Sequence, residues 1–299
     1  MKSYLIAISI IVCLTACSEK KNRPGTVVIQ TDFGVKDGAV AAMKGVAHGV
    51  DDDLMLVDLT HEIPAYNIWE AAYRLNQVVP FWPPNTVFVS VVDPGVGTER
   101  RSIVVKTKKG HYIVTPDNGT TTLLAESEGI DAVRSIDEKI NRRQGSDSSY
   151  TFHGRDVYMY TAARLASGKI KFEEVGPVLN EPLKAIPYQR AISESGLIKG
   201  NIPVLDIQYG NVWTNIPDTL IKSAGIKSGD SLSVQISLKD SAVYSSKILF
   251  ASTFGAVAEG KPLGYINSLM NFSLAINMGN FAEAYKIGTG PDWNIGVKR

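Results

Sequence analysis

Cysteine is almost absent from this sequence, and both copies, Cys13 and Cys17, fall near its start. The rest of the chain therefore has no thiol for a disulfide, a zinc site or a cysteine nucleophile. One-sided charge is missing too. The formal net charge is +1 and no Lys/Arg run stands out, which leaves no electrostatic footprint for a nucleic-acid backbone. No GxxxxGKS/T and no strand-linked GxGxxG occurs, so no phosphate-cradling loop is implied. Internal repeats and low-complexity tracts are also lacking. What remains, 44% hydrophobic and 20% charged residues, is an ordinary globular balance for one large or two smaller domains.

The beginning reads differently from the rest. Met1 and Lys2 precede the apolar stretch Tyr4 to Leu14, which is short for a membrane-spanning helix, and the small residues Thr15 and Ala16 then lead to Cys17. This pattern predicts a signal peptide over residues 1–16. Leu14-Thr15-Ala16-Cys17 also resembles a bacterial lipobox, in which the signal is cut before the cysteine and the thiol is diacylated. That resemblance implies lipid attachment at Cys17, a polar tether over 17–25 and membrane contact through the lipid. The expected location is the bacterial cell envelope, facing the periplasm or the surface.

From Val27 to about Leu183, short apolar runs alternate with helix-period segments, the pattern of a sheet sandwiched between helices. Strands are expected at 27–30, 54–59 and 86–92, the last β-branched, nearly all apolar and hence central. A helix is expected at 37–46, with Val40, Met43 and Ala47 at helical spacing and Asp37 at its start. A second, at 68–79, carries Ile68, Ala71, Ala72, Leu75 and Val79 and is stopped by Pro80, Pro83 and Pro84. Residues 102–107 and 111–115 predict a hairpin around Lys108-Lys109-Gly110, and 156–166 a further helix. Residues 141–150, with Arg142, Arg143 and several serines, read as a solvated loop. After Pro187 the texture turns to alternation such as Leu232, Val234, Ile236 and Leu238. The expected class is α/β: an N-terminal α/β/α sandwich-like domain over 26–190 and a smaller, mainly β domain over 195–299.

Chemistry collects at strand ends. Asp32, Asp58, Asp93 and Asp117 each follow, or lie near the end of, an apolar strand-like run. Ligands of open α/β sheets bind outside the carboxyl ends of the strands, so the four acids are expected to converge on one site. A lone Asp in such a place is usually a turn or helix cap. Here, however, Asp93-Pro94-Gly95-Val96-Gly97 and Pro116-Asp117-Asn118-Gly119 are Gly-rich turns in which backbone can approach a ligand closely. Clustered acids can also hold Mg²⁺, which leaves open a metal-dependent phosphohydrolase that a chelator would silence. His153, one of four histidines, opens a helix in Thr151-Phe152-His153-Gly154-Arg155-Asp156. A lone histidine is more often a structural hydrogen-bonder than a catalyst.

Five ordered blocks carry a more specific likeness. Thr31-Asp32-Phe33-Gly34 with Asp37, Asp58-Leu59-Thr60-His61, Asp93-Pro94-Gly95-Val96-Gly97 with Arg100, Pro116-Asp117-Asn118-Gly119, and Phe152-His153-Gly154-Arg155-Asp156 resemble the successive motifs of the S-adenosylmethionine (SAM) hydroxide adenosyltransferases. These enzymes hydrolyse SAM to adenosine and methionine and are related to fluorinases and chlorinases. The resemblance implies that Asp93, Arg100 and His153 hold the attacking water and that Asp32 accepts both ribose hydroxyls, a task suited to a carboxylate's paired oxygens. It places Tyr66 and Phe254 on the two faces of adenine, although core packing is the ordinary use of such rings. It assigns Asp206 and Asn211 to the methionine amine and the adenine edge, Ser268 to the methionine carboxylate, and Asn280 with Phe281 to the backbone stretch that reads adenine.

Leu269 departs from the pattern, because fluorinases follow that serine with an arginine. The resemblance further implies no metal and no cofactor besides SAM as substrate, and a homotrimer with sites between subunits. Where this chain has His153 and Gly154, fluorinases have tyrosine and serine, and their inserted loop is missing between Lys106 and His111. Chlorinases also carry glycine at the second position. His153 and Arg100 therefore favour water over halide as the nucleophile. A SAM-dependent halogenase and a lipid-anchored protein that binds adenosyl or sulfonium ligands without turnover remain the alternatives.

Overall fold

The computed structural model describes residues 25–299, so the expected signal peptide and the expected lipid site, Cys17, lie outside the described residues. The N-terminal half runs β1 (Thr26–Thr31), α1 (Ala39–Val50), β2 (Met55–Thr60), α2 (Ile68–Val78), β3 (Val87–Val91), β4 (Ser102–Thr107), β5 (Tyr112–Pro116), α3 (Thr122–Ser127), β6 (Ile130–Ser135), α4 (Glu138–Asn141) and α5 (Tyr160–Ala166). Its six strands form one sheet in the order β2-β1-β3-β5-β4-β6. Strands β2, β1, β3 and β5 are parallel, and β4 runs antiparallel to both neighbours.

The period-two alternation of each strand explains the layers. Val27, Ile29, Val87 and Val89 pack with Met43 and Ala47 of α1 and Ala162 and Ala163 of α5. Val28 and Phe88, their sequence neighbours, pack instead with Leu75 of α2 and Leu124 of α3. A sheet buried on both faces needs strands that are apolar throughout, which is why β3 has no exposed residue. Cutting a wholly buried side chain such as Leu75 back to alanine costs about 2–5 kcal/mol. α3 and β6, six residues each, were not anticipated, because so short a segment cannot display a period.

The remaining strands are β7 (Ile192–Glu194), β8 (Leu197–Ile202), β9 (Val204–Asp206), β10 (Asn211–Pro217), β11 (Ser231–Leu238), β12 (Ser241–Phe250), β13 (Pro262–Ile266), β14 (Asn271–Ile276) and β15 (Gly290–Lys298), with the short helices α6 (Asp218–Ser223) and α7 (Phe281–Tyr285). They make a nine-stranded sheet in the order β7-β8-β15-β11-β12-β13-β14-β10-β9. Leu232, Val234 and Ile236 point into its core while Leu238 stays exposed. The expected α/β sandwich followed by a mainly β domain is the architecture the chain adopts. Tyr73, Val204, Trp213, Leu123 and Leu269 form one apolar cluster across the two halves, and Trp69 Nε1 donates to Pro203 O at 3.2 Å.

The strand order positions the site. With β1 between β2 and β3, helices α1 and α2 leave on opposite faces, so a crevice opens at the carboxyl ends of β1 and β3. Asp32 directly follows β1, and Asp93 follows β3 by two residues.

Candidate active site

Three segments meet at that crevice. Asp93 comes from the turn after β3, Arg100 from just before β4, and His153 from the residue that precedes a π-helical turn, Gly154–Met159, which runs directly into α5. Arg100 Nε donates to both Asp93 carboxylate oxygens at 2.9 and 3.0 Å, and its Nη2 lies 2.6 Å from Asp93 Oδ2 and 2.6 Å from His153 Nδ1. Its remaining nitrogen, Nη1, donates to Ser102 Oγ at 2.9 Å. The Arg100 and Asp93 side chains are only 9% and 5% exposed, so their charges are compensated by geometry and not by water.

Tyr158 completes the ring of contacts. A π-helical turn closes i→i+5 bonds, which brings Tyr158 beneath His153, with ring centroids 6.5 Å apart and nearly perpendicular. Its hydroxyl donates to Asp93 Oδ2 at 3.2 Å and accepts from Ser102 Oγ at 3.3 Å. Burial, reinforced by the Asp93 charge, pushes the phenol well above its ordinary range, so Tyr158 remains a donor. Burial, then the neighbouring Arg100 charge, lowers the His153 pKa from its ordinary value, with Arg142 acting in the same sense and Glu138 and Asp93 against. The imidazole is consequently neutral at neutral pH. Burial works against the Arg100 charge, but the hydrogen bonds it donates to Asp93, together with the charge interactions with Tyr158, Asp93 and Glu138, outweigh it and raise its pKa.

A cavity of ≈ 270 Å³ opens beside this cluster, lined by Asp32, Tyr66, Asp93, His153 and Gly154 among others. Asp32 Oδ2 accepts the Tyr66 N–H at 2.9 Å, and Tyr66 holds a left-handed φ of 67°, an uncommon setting for a bulky side chain. The Tyr66 side chain itself stays out in solvent. Gly154 floors the cavity: a Cβ there would meet Phe33 and Val91 atoms at 3.3 Å.

A second cavity, ≈ 670 Å³, lies in the C-terminal domain and is lined by Asp206, Asn211, Phe254, Ser268 and Asn280, with Trp213 and Tyr265 at its wall. Asn211 Nδ2 donates to Asp206 Oδ2 at 3.1 Å. The two cavities share no lining residue within one chain. Among the described residues, no group of three or more His, Cys, Asp or Glu side chains is placed to hold a metal ion.

Two expectations need correction. The four strand-end acids do not converge. Asp58 pairs with Lys44 at 2.6 Å and His61 at 3.0 Å; burial opposes its charge, but those two partners hold its carboxyl below the ordinary range. Asp117 is buried, ion-paired to Arg101, and accepts the Lys184 N–H at 2.9 Å. The Phe281 ring, on the first residue of α7, is wholly buried in the core of the β domain, and it is through its backbone that this residue is expected at the adenine edge. Its neighbour Asn280 caps that helix, its side chain accepting from Glu283 N at 2.9 Å. Finally, the segment 141–150 is not simply solvated: Asn141 is buried and the Arg142 side chain is 6% exposed, reaching His153. Asp156, buried between Arg143 and Arg155, anchors that segment against the π turn.

Tyr158, Ser102, Arg142 and Glu138 were missed in the sequence. Only Ser102, two residues beyond Arg100 and so on the same strand face, carried a legible signal. A π turn leaves no periodic trace that would have pointed to Tyr158.

The sandwich, its switch-point crevice and the Asp–Arg–His cluster define a two-domain α/β enzyme. The chain belongs to the SAM hydroxide adenosyltransferase family: residues 27–176 match its N-terminal domain and 200–294 its C-terminal domain. It is 34% identical over 264 residues to the (R)-S-adenosyl-L-methionine hydrolase of Methanocaldococcus jannaschii, covering 87% of this chain and 88% of that one. It is also 34% identical to the protein of the same name from Salinispora tropica, covering 87% and 93%, and 29% identical to a fluorinase of Actinopolyspora mzabensis, covering 91% and 97%. Among solved structures, an uncharacterized conserved protein from Thermotoga maritima superposes with a TM-score of 0.84 at 32% identity, covering 91% of this chain and 100% of that one.

Proposed function

We propose that this enzyme hydrolyses S-adenosyl-L-methionine to adenosine and L-methionine, by in-line attack of water on the ribose C5′ carbon. The observation that carries the reading is the Asp93–Arg100–His153 cluster at the mouth of β1 and β3, with distances of 2.6–3.0 Å inside a buried pocket. The sulfonium leaves as a neutral thioether, so the leaving group needs no proton. The site has to orient one water molecule and take one of its protons, and a neutral imidazole beside a charged carboxylate supplies that base. Arg100 holds Asp93 in place and favours hydroxide-like character in the water. Positioning and exclusion of solvent supply most of the remaining acceleration.

The substrate roles follow the same reading. Asp32 takes the ribose hydroxyls, Tyr66 and Phe254 face adenine, and Asp206, Asn211, Ser268 and the backbone at Asn280 and Phe281 hold the amino-acid end and the adenine edge. Because the two sets of residues line separate cavities, each bordered by exposed apolar side chains, the complete site forms between subunits of a homotrimer. Exposed Tyr66, Tyr209 and Met278, at 72%, 65% and 83%, support this, since such rims are what association covers. No metal and no cofactor enters the scheme. Lipidation at Cys17 would hold the trimer at a bacterial envelope membrane.

The test is to incubate the protein lacking residues 1–16 with SAM and follow products by chromatography, with and without chloride. Adenosine as the sole nucleoside product, undiminished by EDTA, is the expected result. Appearance of 5′-chloro-5′-deoxyadenosine would instead make it a halogenase, and bound but unchanged SAM a binding protein. Native mass spectrometry should show three copies, and growth with labelled palmitate should label wild-type protein but not Cys17→Ser.

A further inference from the structure

His153 lies between two cavities, and the hydrolysis scheme uses only one of them. The inner cavity contains Asp32 and Asp93; an outer one of ≈ 340 Å³ is bordered by Gly97, Thr98, Glu99, Glu138, Tyr150 and His153 itself. Arg142, just beyond α4, reaches the ring from the outer side. Its Nη2 is 2.9 Å from His153 Nε2 and 2.5 Å from Glu138 Oε2. Its Nη1 donates to Ser149 O at 3.2 Å, and its guanidinium lies 4.8 Å over the Tyr150 ring. Contacts with Glu138, Ser149 and Tyr150 would be enough to hold the loop. They do not account for an N–H aimed at a ring whose other nitrogen already faces Arg100 at 2.6 Å.

Guanidinium groups only donate, and a neutral imidazole offers one N–H and one lone pair. With Arg100 on Nδ1 and Arg142 on Nε2, one contact is a hydrogen bond and the other opposes two N–H groups. A protonated ring is opposed at both nitrogens. Arg100 is committed to Asp93 through both carboxylate oxygens, whereas Arg142 is tied to a single oxygen of Glu138, by Nε at 3.2 Å and Nη2 at 2.5 Å, and the Glu138 side chain is 33% exposed, so that pair can shift outward together. Protonation of the ring therefore displaces Arg142, towards the outer cavity.

We propose that Arg142 and Glu138 form a proton-release pair: Arg142 is a positioning residue whose charge keeps the His153 ring neutral, and it withdraws from Nε2 towards Glu138 as Nδ1, on the inner side, takes the proton of the attacking water and Nε2 gives up its own proton to solvent through the outer cavity. This rests on the SAM hydrolase reading. In that reaction the O–C5′ bond forms, the C5′–S electron pair stays on sulfur, the water O–H bond breaks, and one proton per turnover has to reach solvent. The groups that face the ring are Asp93, Arg100 and Tyr158 on the inner side and Glu138, Arg142 and Tyr150 on the outer side, with Glu99 at the outer cavity wall.

Two readouts test it in the protein lacking residues 1–16: the acid limb of kcat/KM against pH, and the NMR titration of the His153 ring, assigned by its loss in His153→Asn. Arg142→Gln removes a positive charge and should move both midpoints up by about one pH unit, while Glu138→Gln leaves Arg142 uncompensated and should move both down by a similar amount. Arg142→Lys keeps the charge and should largely restore the wild-type midpoints. KM for SAM should stay within about twofold, since neither residue borders the inner cavity. Midpoints that stay put, or that move in the same direction in both Gln variants, overturn the proposal, because a pair that only holds the loop would alter stability without opposite titration shifts. If the wild-type protein makes no adenosine, the hydrolase reading fails, and the ring titration still decides the coupling of Arg142 and Glu138 to His153.

Discussion

In the N-terminal domain, Asp93, Arg100, His153, Ser102 and Tyr158 bind one another in a closed network whose members are nearly all buried. In the C-terminal cavity, Asp206 and Asn211 share a single 3.1 Å bond, and Phe254 and Met278 are 44% and 83% exposed. The first region is organised before any ligand arrives. The second is a wide, partly apolar surface, with Trp213 and Tyr265 at its wall. Groups that act on a developing charge are effective when they need no rearrangement at the moment of reaction, whereas groups that hold a substrate can be ordered by it. The chemistry should therefore depend on the N-terminal network, and affinity on the outlying residues of both cavities.

The sharpest break of that division is Asp93→Asn. It leaves the Arg100 guanidinium buried without its counter-charge, so turnover should fall by about a thousandfold or more and thermal stability by about 3–5 kcal/mol, read by kcat and a melting curve. A variant that melts normally and turns over within tenfold of wild type would mean that the network is not the reacting centre. His153→Ala comes next: kcat should drop by about a hundredfold or more with little change in KM, and equal losses in both would place the ring against substrate instead of water. The pH profile sharpens this. Because the His153 pKa is lowered from 6.5, the neutral base persists as pH falls, and the wild-type acid limb of kcat/KM should have its midpoint below that value. In the alanine variant this limb should disappear.

Smaller effects are expected where binding is the task. Asp32→Ala should weaken SAM binding by about 2 kcal/mol through the lost ribose contacts, measured by calorimetry, and unaltered affinity would remove Asp32 from the pocket. Phe254→Ala should be the mildest, weakening binding by about 1 kcal/mol with kcat preserved, since it takes away one stacking face. A kcat defect as large as that of His153→Ala would blur the division between the two regions.

Legibility in the sequence followed length and locality. β1, β3 and the β4–β5 hairpin were readable because continuous apolar runs and a Gly turn mark buried strands, and α2 because its apolar period is followed by prolines. Asp32 and Asp93 were readable as neighbours of one crevice, since strand ends and strand order obey general rules. Asp58 and Asp117 looked identical in that light and proved otherwise, because the partners that neutralise them, Lys44 and Arg101, are 14 and 16 residues away. Arg142 was misread for a related reason: among serines and glycine it looks solvated, and only its approach to His153, 11 residues on, reveals its burial. Side-chain pairing across such separations leaves no local pattern.

The π-helical turn after His153 holds one residue more than an ordinary helical turn. Deleting a single residue there would let α5 keep its apolar stripe on the sheet while swinging everything upstream by about 100° around the helix axis. The aim of the imidazole and the seating of α5 are thus separate mechanical settings on one continuous rod. A descendant of this chain could re-point its reactive ring at a different nucleophile by changing the helix pitch, with the hydrophobic interior left as it is.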